Sequence, residues 1–387
     1  MSDFTTEQFE DNNRGFAQQR LERLLAGSGV AFNGPNPWDI QVFNPSFYKH
    51  VLINGSLGLG EAYMNEWWDC EQIDETINLI LRTSLGESQK FLSNFATWAQ
   101  AKLFNLQKRS RAFHVGKQHY DIGNELYVAM LDERMVYTCG YWARADNLED
   151  AQKHKLDLVC RKIGLRKGMK ILDIGCGWGS FAEFAAQQYG VEVVGITISK
   201  AQADLATERC RGLPIEIRLQ DYRDVGSKFD AIVSLGMFEH VGHKNYRTYM
   251  DVARKCLKNN ARFLLHTIGK NDSRPGADPW AVKYIFPNGE IPSLRQISAA
   301  LEPYLIIEDV HNFGPDYDHT LMAWFNNFDN AWTKLKQNYA QKYSEQFYRM
   351  WKYYLHACAG GFRARHMQLW QIVISSSRNQ NTYRRPE

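Results

Sequence analysis

Ile171-Leu-Asp-Ile-Gly-Cys-Gly-Trp-Gly179 reads as a short strand that runs into a glycine turn. Bare backbone of this kind lets a ligand come close, and nucleotide phosphates are its commonest guests. The spacing argues otherwise. A dinucleotide fingerprint has Gly-x-Gly-x-x-Gly, whereas here the third glycine comes one position early, at Gly179. Asp173, two residues before the first glycine, would also repel a pyrophosphate from the strand end. The same carboxylate can attract, directly or through water, the ammonium group of an amino acid, while Gly175 and Gly177 admit the rest of the ligand. S-adenosylmethionine combines those features: an amino acid end, a sulfonium and an adenosine without phosphates.

Outward from this turn, strand-like and helical stretches alternate. The strand-like runs are 170–174, 191–196, 215–219, 229–234 and 262–267. Such alternation predicts an α/β fold, with a parallel sheet, helices on both faces and a ligand at the carboxyl ends of the strands. Two later runs, 305–310 and 369–374, are expected to complete the sheet's edge. After the second strand comes Gly195-Ile-Thr-Ile-Ser-Lys-Ala-Gln202. Thr197, Ser199 and Gln202 stand where hydroxyl and amide groups cap a helix or bind ribose and amino acid atoms, and Ser199 reads first as an N-cap. Many nucleotide sites grip the ribose with an acid at this strand end. Thr197 occupies the place, so the ribose is left to neutral groups such as Gln202. Gln220 and Asp221 follow the third strand, the usual place for contact with an adenine amine, with Tyr222 available to cover the ring.

At 387 residues the chain is long enough for a catalytic domain and a smaller second one. Hydrophobic residues make up 44% and charged residues 23%, and no apolar run approaches the roughly 18 residues of a membrane span. The acidic stretch Met1 to Glu10 lacks the features of a signal peptide, which places the chain in the cytoplasm. Seven cysteines are scattered singly, as reduced thiols would be. A net charge of +3 is too small for a global field toward nucleic acid. Aromatic residues reach 13%, with eleven Trp, which points to a large aromatic core or to a site for a greasy or cationic ligand.

The first hundred or so residues carry helical periodicity and glycine turns, among them Asn54-Gly-Ser-Leu-Gly-Leu-Gly60. Tyr63, Met64, Trp67 and Trp68 follow as a dense apolar packet, read as the core of a small helical domain. Between 102 and 117, Lys108, Arg109, Arg111 and Lys117 are unopposed by any acid and interleave with Phe104, Leu106 and Phe113. Such a run is a solvated linker or a contact for anionic lipid, and it makes a domain boundary either way. Around the fourth strand's end stands Ser234-Leu-Gly-Met-Phe-Glu-His-Val-Gly-His243. Glu239, His240 and His243 invite a metal, but the order is not His-Glu-x-x-His and no third ligand is evident, so no metal is expected. Cys358 lies near Arg363 and Arg365, a setting that can lower a thiol's pKa. Phe347, Met350, Trp351, Tyr354, Leu355 and Cys358 fall on one helical stripe, however, and the cysteine reads as helix packing.

Further motifs are Tyr137-Thr-Cys-Gly-Tyr-Trp142, Leu264-Leu-His-Thr-Ile-Gly269, Tyr284-Ile-Phe-Pro-Asn-Gly289, Asn312-Phe-Gly-Pro-Asp-Tyr317 and Cys358-Ala-Gly-Gly-Phe-Arg-Ala-Arg365. With the glycine turn, Ile196-Thr-Ile-Ser199 and Gly236-Met-Phe-Glu-His-Val-Gly242, these make the chain resemble the cyclopropane-fatty-acyl-phospholipid synthases, kin of the mycolic acid cyclopropane synthases. The resemblance covers most of the chain. It implies a Rossmann-like class I S-adenosylmethionine-dependent methyltransferase domain with a smaller, mainly helical amino-terminal domain. The expected division is 1–105 for lipid docking, a basic linker at 106–117, and catalysis in 118–387. It implies methylene transfer from S-adenosylmethionine to a cis double bond in a phospholipid acyl chain, with a carbocation deprotonated by bound bicarbonate. The bicarbonate cage would map onto Cys139, Glu239, His266, Tyr317 and the backbone of Ile268, and the donor site onto Tyr137, Thr138, Asp173, Gly175, Gly177, Thr197, Ile198, Ser199, Gln202, Gln220, Asp221 and Tyr222. His266 and Cys139 also have plain structural readings, as a satisfied core histidine and a small core residue. The expected partners are a phospholipid bilayer, touched peripherally from its inner face, and a second copy of the chain. A methyl-branching enzyme and a noncatalytic lipid-binding protein are the alternatives.

Overall fold

The computed structural model describes residues 6–83, 122–376 and 379–386, so the basic stretch 102–117 lies outside the described residues. These residues form two compact units. One takes 6–83, 277–287 and 332–366; the other takes 122–276, 288–331 and the remainder from 367 onward. A single cut near 106–117 therefore does not describe the division, because the chain returns twice to the first unit.

The reason is packing. The helices Ser46–Met64 and Ile73–Thr83 are too little structure to bury their own aromatic residues, and the long helix Glu345–Arg363 packs against both. Trp68 is wholly buried and donates its indole N–H to the Leu59 carbonyl at 2.9 Å. The rings of Tyr63, Phe47 and Tyr353 lie 5.1, 6.3 and 6.4 Å from it. This packet is core, as its density predicted. Strands β1 (Gln41–Val42) and β2 (Trp68–Asp69) form a short antiparallel pair beside it. The expected glycine turn at 54–60 is instead the interior of the helix Ser46–Met64, kinked at Gly55 (φ 56°, ψ −131°). Gly60 is there for close approach: a Cβ would stand 2.4 Å from Cδ1 of Trp280. On the helix Glu345–Arg363, Trp351, Tyr354 and Leu355 of the anticipated stripe are buried.

The second unit is built on a sheet of seven strands: β3 (Lys170–Ile174), β4 (Glu192–Thr197), β5 (Ile215–Leu219), β6 (Phe229–Leu235), β7 (Leu257–Lys270), β8 (Leu305–Asn312) and β9 (Met367–Ser376). Their order is β5-β4-β3-β6-β7-β9-β8. The neighbours from β5 through β7 pair in parallel, while β9 runs antiparallel to both β7 and β8. All seven strand-like runs are strands. The last in sequence, however, lies inside the sheet, and β8 alone forms that edge.

Alternation along the strands sends side chains to two cores. Leu172, Ile174, Ile232, Phe263 and Leu265 belong to one; Ile171, Val193, Val233, Leu264 and Val373 belong to the other, which includes Leu156, Val159 and Ile163 of the helix Leu148–Ile163. By the same period of two, Asp173, His266, Ile268 and Gln371 share the face of the second core. That helix starts at the N-cap Asn147, whose side chain accepts from Asp150 N–H, and stops at Gly164 in the left-handed region (φ 69°, ψ 45°).

Candidate active site

The site forms at the carboxyl ends of β3, β4, β6 and β7. In the turn after β3, Gly175, Gly177 and Gly179 all have positive φ (82°, 55° and 83°), so L side chains are disfavoured at each. A Cβ on Gly175 would lie 2.7 Å from Met237, and one on Gly236 (φ 70°) 2.6 Å from Thr138. The turns after β3 and β6 and the segment Tyr137 to Cys139 are thus drawn together by missing side chains.

Asp173 is buried at the end of β3, and its Oδ2 has no hydrogen-bond partner among the described residues. Desolvation lifts its carboxyl to about 7, with Lys155 opposing the rise. After β4, the buried Thr197 hydroxyl donates to Gln202 Oε1 at 3.0 Å, and Ser199 accepts from the Gln202 N–H as an N-cap. The three polar residues form one local network. Ile198 and Gln220 are half-buried, and the Gln220 N–H donates to the Thr197 carbonyl at 2.9 Å. Asp221 is buried and accepts from Arg223, from its backbone at 2.9 Å and its guanidinium at 2.8 Å. Each oxygen keeps room for one further donor. The Tyr222 ring packs in the core, 4.9 Å from Tyr249.

A second set surrounds Glu239. Its Oε1 accepts from the Ile268 N–H at 2.6 Å, and its buried Oε2 has no partner among the described residues. Desolvation raises the carboxyl to about 7, against the pull of the Ile268 hydrogen bond. His266, two residues before Ile268 and on the same face of β7, is buried with Nε2 equally unpartnered among the described residues. Its Nδ1 lies 3.3 Å from Gln371 Nε2. Burial, helped by Lys155 and Lys162, holds the imidazole well below its ordinary pKa, so it is neutral. Cys139 is buried, and desolvation keeps its thiol protonated, far above the usual range.

Thr320, on the helix Pro315–Asn338, accepts from the Gly140 N–H at 3.0 Å and the Trp142 indole at 2.9 Å. These bonds tie the Cys139 segment to the helix whose first turn carries Tyr317. Tyr317, Tyr137 and the wholly buried Trp324 form an aromatic wall, with Trp324 6.0 and 5.2 Å from the two tyrosines. Phe313 lies 5.9 Å from the His266 ring.

Glu239 turns to Ile268 while His243 pairs with Glu290 at 2.6 Å, so these two side chains do not converge, and among the described residues no group of three His, Cys, Asp or Glu could hold a metal. Cys358 belongs to the other compact unit, where burial pushes its thiol up to about 12. Arg363 does not lower it; that side chain binds Asp74 at 2.6 Å and Glu75 at 2.9 Å.

Sequence reasoning missed Lys155, whose ammonium donates to Thr138 Oγ1 at 2.7 Å, and the buried pair Lys162 and Gln371. One signal was available. Gln152, Lys155, Val159 and Lys162 recur at spacings of three and four, the rhythm of a buried helix face.

A family model described as mycolic acid cyclopropane synthetase matches residues 107–372. The chain is 54% identical over 353 residues to a cyclopropane-fatty-acyl-phospholipid synthase of Escherichia coli (strain K12), with 91% of each chain covered. A solved structure of a cyclopropane synthase from Mycobacterium tuberculosis is 28% identical, with a TM-score of 0.63 over 71% of this chain and 100% of that one. The structure of a mycolic acid cyclopropane synthase complexed with SAH and CTAB is 29% identical, with a TM-score of 0.59 over 68% of this chain and 97% of that one.

Proposed function

Because the chain belongs to the mycolic acid cyclopropane synthetase family and is an S-adenosylmethionine-dependent enzyme, we propose that it transfers a methylene group to the cis double bond of an unsaturated acyl chain in a membrane phospholipid. The product is a cyclopropane ring. The observation that carries this reading is a trio of buried polar atoms, Asp173 Oδ2, Glu239 Oε2 and His266 Nε2, each without a partner among the described residues. Buried polar atoms normally find partners, and a trio left over at the strand ends is suited to a ligand.

When bound, S-adenosylmethionine supplies an electrophilic methyl and bicarbonate supplies the base that removes a proton from the transferred carbon. Asp173 receives the donor's ammonium group; an arriving cation favours its ionised form and lowers its pKa again. Gly175 and Gly177 let the rest of the donor pass along bare backbone. Glu239 has Oε1 occupied by the Ile268 N–H, so when the carboxyl is protonated, which its rise to about 7 and an arriving anion both favour, the proton sits on Oε2 and donates. His266 is neutral and holds one N–H. With the Tyr317 hydroxyl, and beside the neutral Cys139 thiol that donates to the Gly140 carbonyl at 3.1 Å, this makes a neutral set that accepts an anion without like-charge repulsion. An alkene is a weak nucleophile, so alignment and exclusion of water matter most. The wall of Tyr137, Tyr317 and Trp324 keeps water out and offers ring faces that stabilise a cation on the acyl chain without reacting with it.

Among the described residues, no helix is long and apolar enough to cross a membrane. In this reading the acyl chain comes to the enzyme through docking on the bilayer surface by the first unit and the basic stretch, whose Lys108, Arg109, Arg111 and Lys117 are unopposed by any acid. Two copies docking together strengthen that contact by multivalency. The test uses vesicles of cis-monounsaturated phospholipid, bicarbonate and a donor with a trideuterated methyl, with mass spectrometry of the released fatty acids. A product with two deuteriums and no double bond is expected. Three retained deuteriums would mean a methyl branch, and no product despite donor binding would mean a binding protein.

A further inference from the structure

Gln371 and Lys162 are buried side chains with no part in the reaction described above. Gln371 stands on the interior strand β9 directly across from His266 on β7. Its Nε2 lies 3.3 Å from His266 Nδ1, and its Oε1 accepts from Lys162 Nζ at 2.8 Å. We propose that Gln371, clamped by Lys162, is a positioning residue that fixes the tautomer of His266, so that Nδ1 accepts from the amide and Nε2 carries the ring's proton as a donor into the site. The catalytic consequence rests on reading that site as an anion holder; the tautomer itself does not.

A side-chain amide has one donor end and one acceptor end, and its orientation follows from its neighbours. Reversing Gln371 would set its NH₂ group against the lysine's hydrogens, donor against donor. Lys162 is itself held, with Nζ 2.9 Å from Nδ1 of His311. Burial keeps His311 neutral, so that Nδ1 is free to accept. As the ammonium, Lys162 has hydrogens for both acceptors and no lone pair to accept from a reversed amide. With the amide so oriented, Gln371 presents N–H to Nδ1, and a neutral imidazole with Nδ1 accepting has its single N–H on Nε2. Nε2 is the atom left without a partner among the described residues. Among the described residues no carboxylate stands at bonding distance of Lys162; Asp309, whose charge acts on it, is bonded to Arg385 at 2.9 Å. A buried amine held this way is costly, and leucine or methionine would fill the same space more cheaply. Setting a donor is what the cluster achieves in return.

The experiment is a long-range ¹H–¹⁵N correlation on the full-length protein with ¹⁵N-labelled histidine, the His266 signals being assigned by their absence in His266→Asn. The expected result is an unprotonated Nδ1 and a protonated Nε2. A proton on Nδ1 overturns the proposal whatever the activity. Gln371→Glu replaces the donor with an acceptor, so Nδ1 should gain a proton and kcat should fall about tenfold or more, as for a mis-set tautomer elsewhere. KM for S-adenosylmethionine should stay within about twofold, since the change acts away from the donor. His266 signals unchanged in a folded Gln371→Glu overturn the proposal as well. If that variant does not fold, the wild-type spectrum decides alone. Activity independent of bicarbonate, beside an intact Nε2–H, would remove the anion reading and leave the tautomer standing.

Discussion

Asp173 is held under two opposed demands. Without a cation beside it, its buried carboxyl resists ionisation; with the donor's ammonium in place, ionisation is what binds. Asp173→Asn should therefore weaken S-adenosylmethionine by about tenfold to a hundredfold, the worth of one hydrogen bond between charged groups, as read by titration calorimetry. The ligand-free protein should unfold at the same or a higher denaturant concentration at pH 8. The pH dependence follows from the same groups. Asp173 and Glu239 rise to about 7 in the folded chain from 3.8 and 4.5, so the folded state holds more protons than the unfolded one between those limits. Their contribution is fully present below the unfolded values and is lost as pH rises through about 7, at up to ~1.4 kcal/mol per pH unit for each group. Urea unfolding from pH 4.5 to 7.5 should show a decline that the double variant Asp173→Asn, Glu239→Gln flattens. Asp173 could be read from the sequence because a carboxylate before a glycine turn has few other uses. Lys155, Lys162 and Gln371 could not, since polar side chains are ordinarily assigned to solvent; the helical spacing of the two lysines alone said otherwise, and Gln371 sits on a strand where no such rhythm marks it.

The glycine turn lends itself to a graded test. Alanine at Gly175 meets both a left-handed φ of 82° and Met237 at 2.7 Å, whereas at Gly177 a Cβ meets nothing within 4 Å and only the φ of 55° is strained. Gly177→Ala should cost about 1 kcal/mol, and Gly175→Ala clearly more, with loss of donor binding. Thermal unfolding and calorimetry together check the ranking. The strands of the second unit were legible because apolar runs of that length between turn residues have few alternatives. Their order was only half legible. Parallel neighbours follow from strand and helix alternation, but the insertion of β9 between β7 and β8 depends on pairing between residues a hundred positions apart, which no local pattern encodes. The glycines of 54–60 misled for the opposite reason: a residue that permits turns also permits close helix packing, and Trp280, which decides between them, is far away in sequence.

For the whole molecule, access to a double bond inside a bilayer is the physical problem. Lys108, Arg109 and Arg111 lie outside the described residues. At roughly 1 kcal/mol per cation near an anionic surface, replacing all three by Gln should weaken binding to anionic vesicles by about tenfold or more and reduce its salt dependence. Co-sedimentation at low and high salt measures this, and unchanged binding would move the docking contact elsewhere. The division between units was illegible in the sequence because it follows packing surfaces rather than composition.

The interior position of β9 also governs when the protein can exist during its own synthesis. The first unit waits for residues 332–366 and the second for 367–376, so the second cannot be finished while the ribosome still holds that last stretch. A nascent chain stalled before residue 367 would expose the flank of β7 and leave Lys162 buried without its amide. Such chains should be held by chaperones or destroyed by proteases, and premature termination late in the message should yield no partly active enzyme.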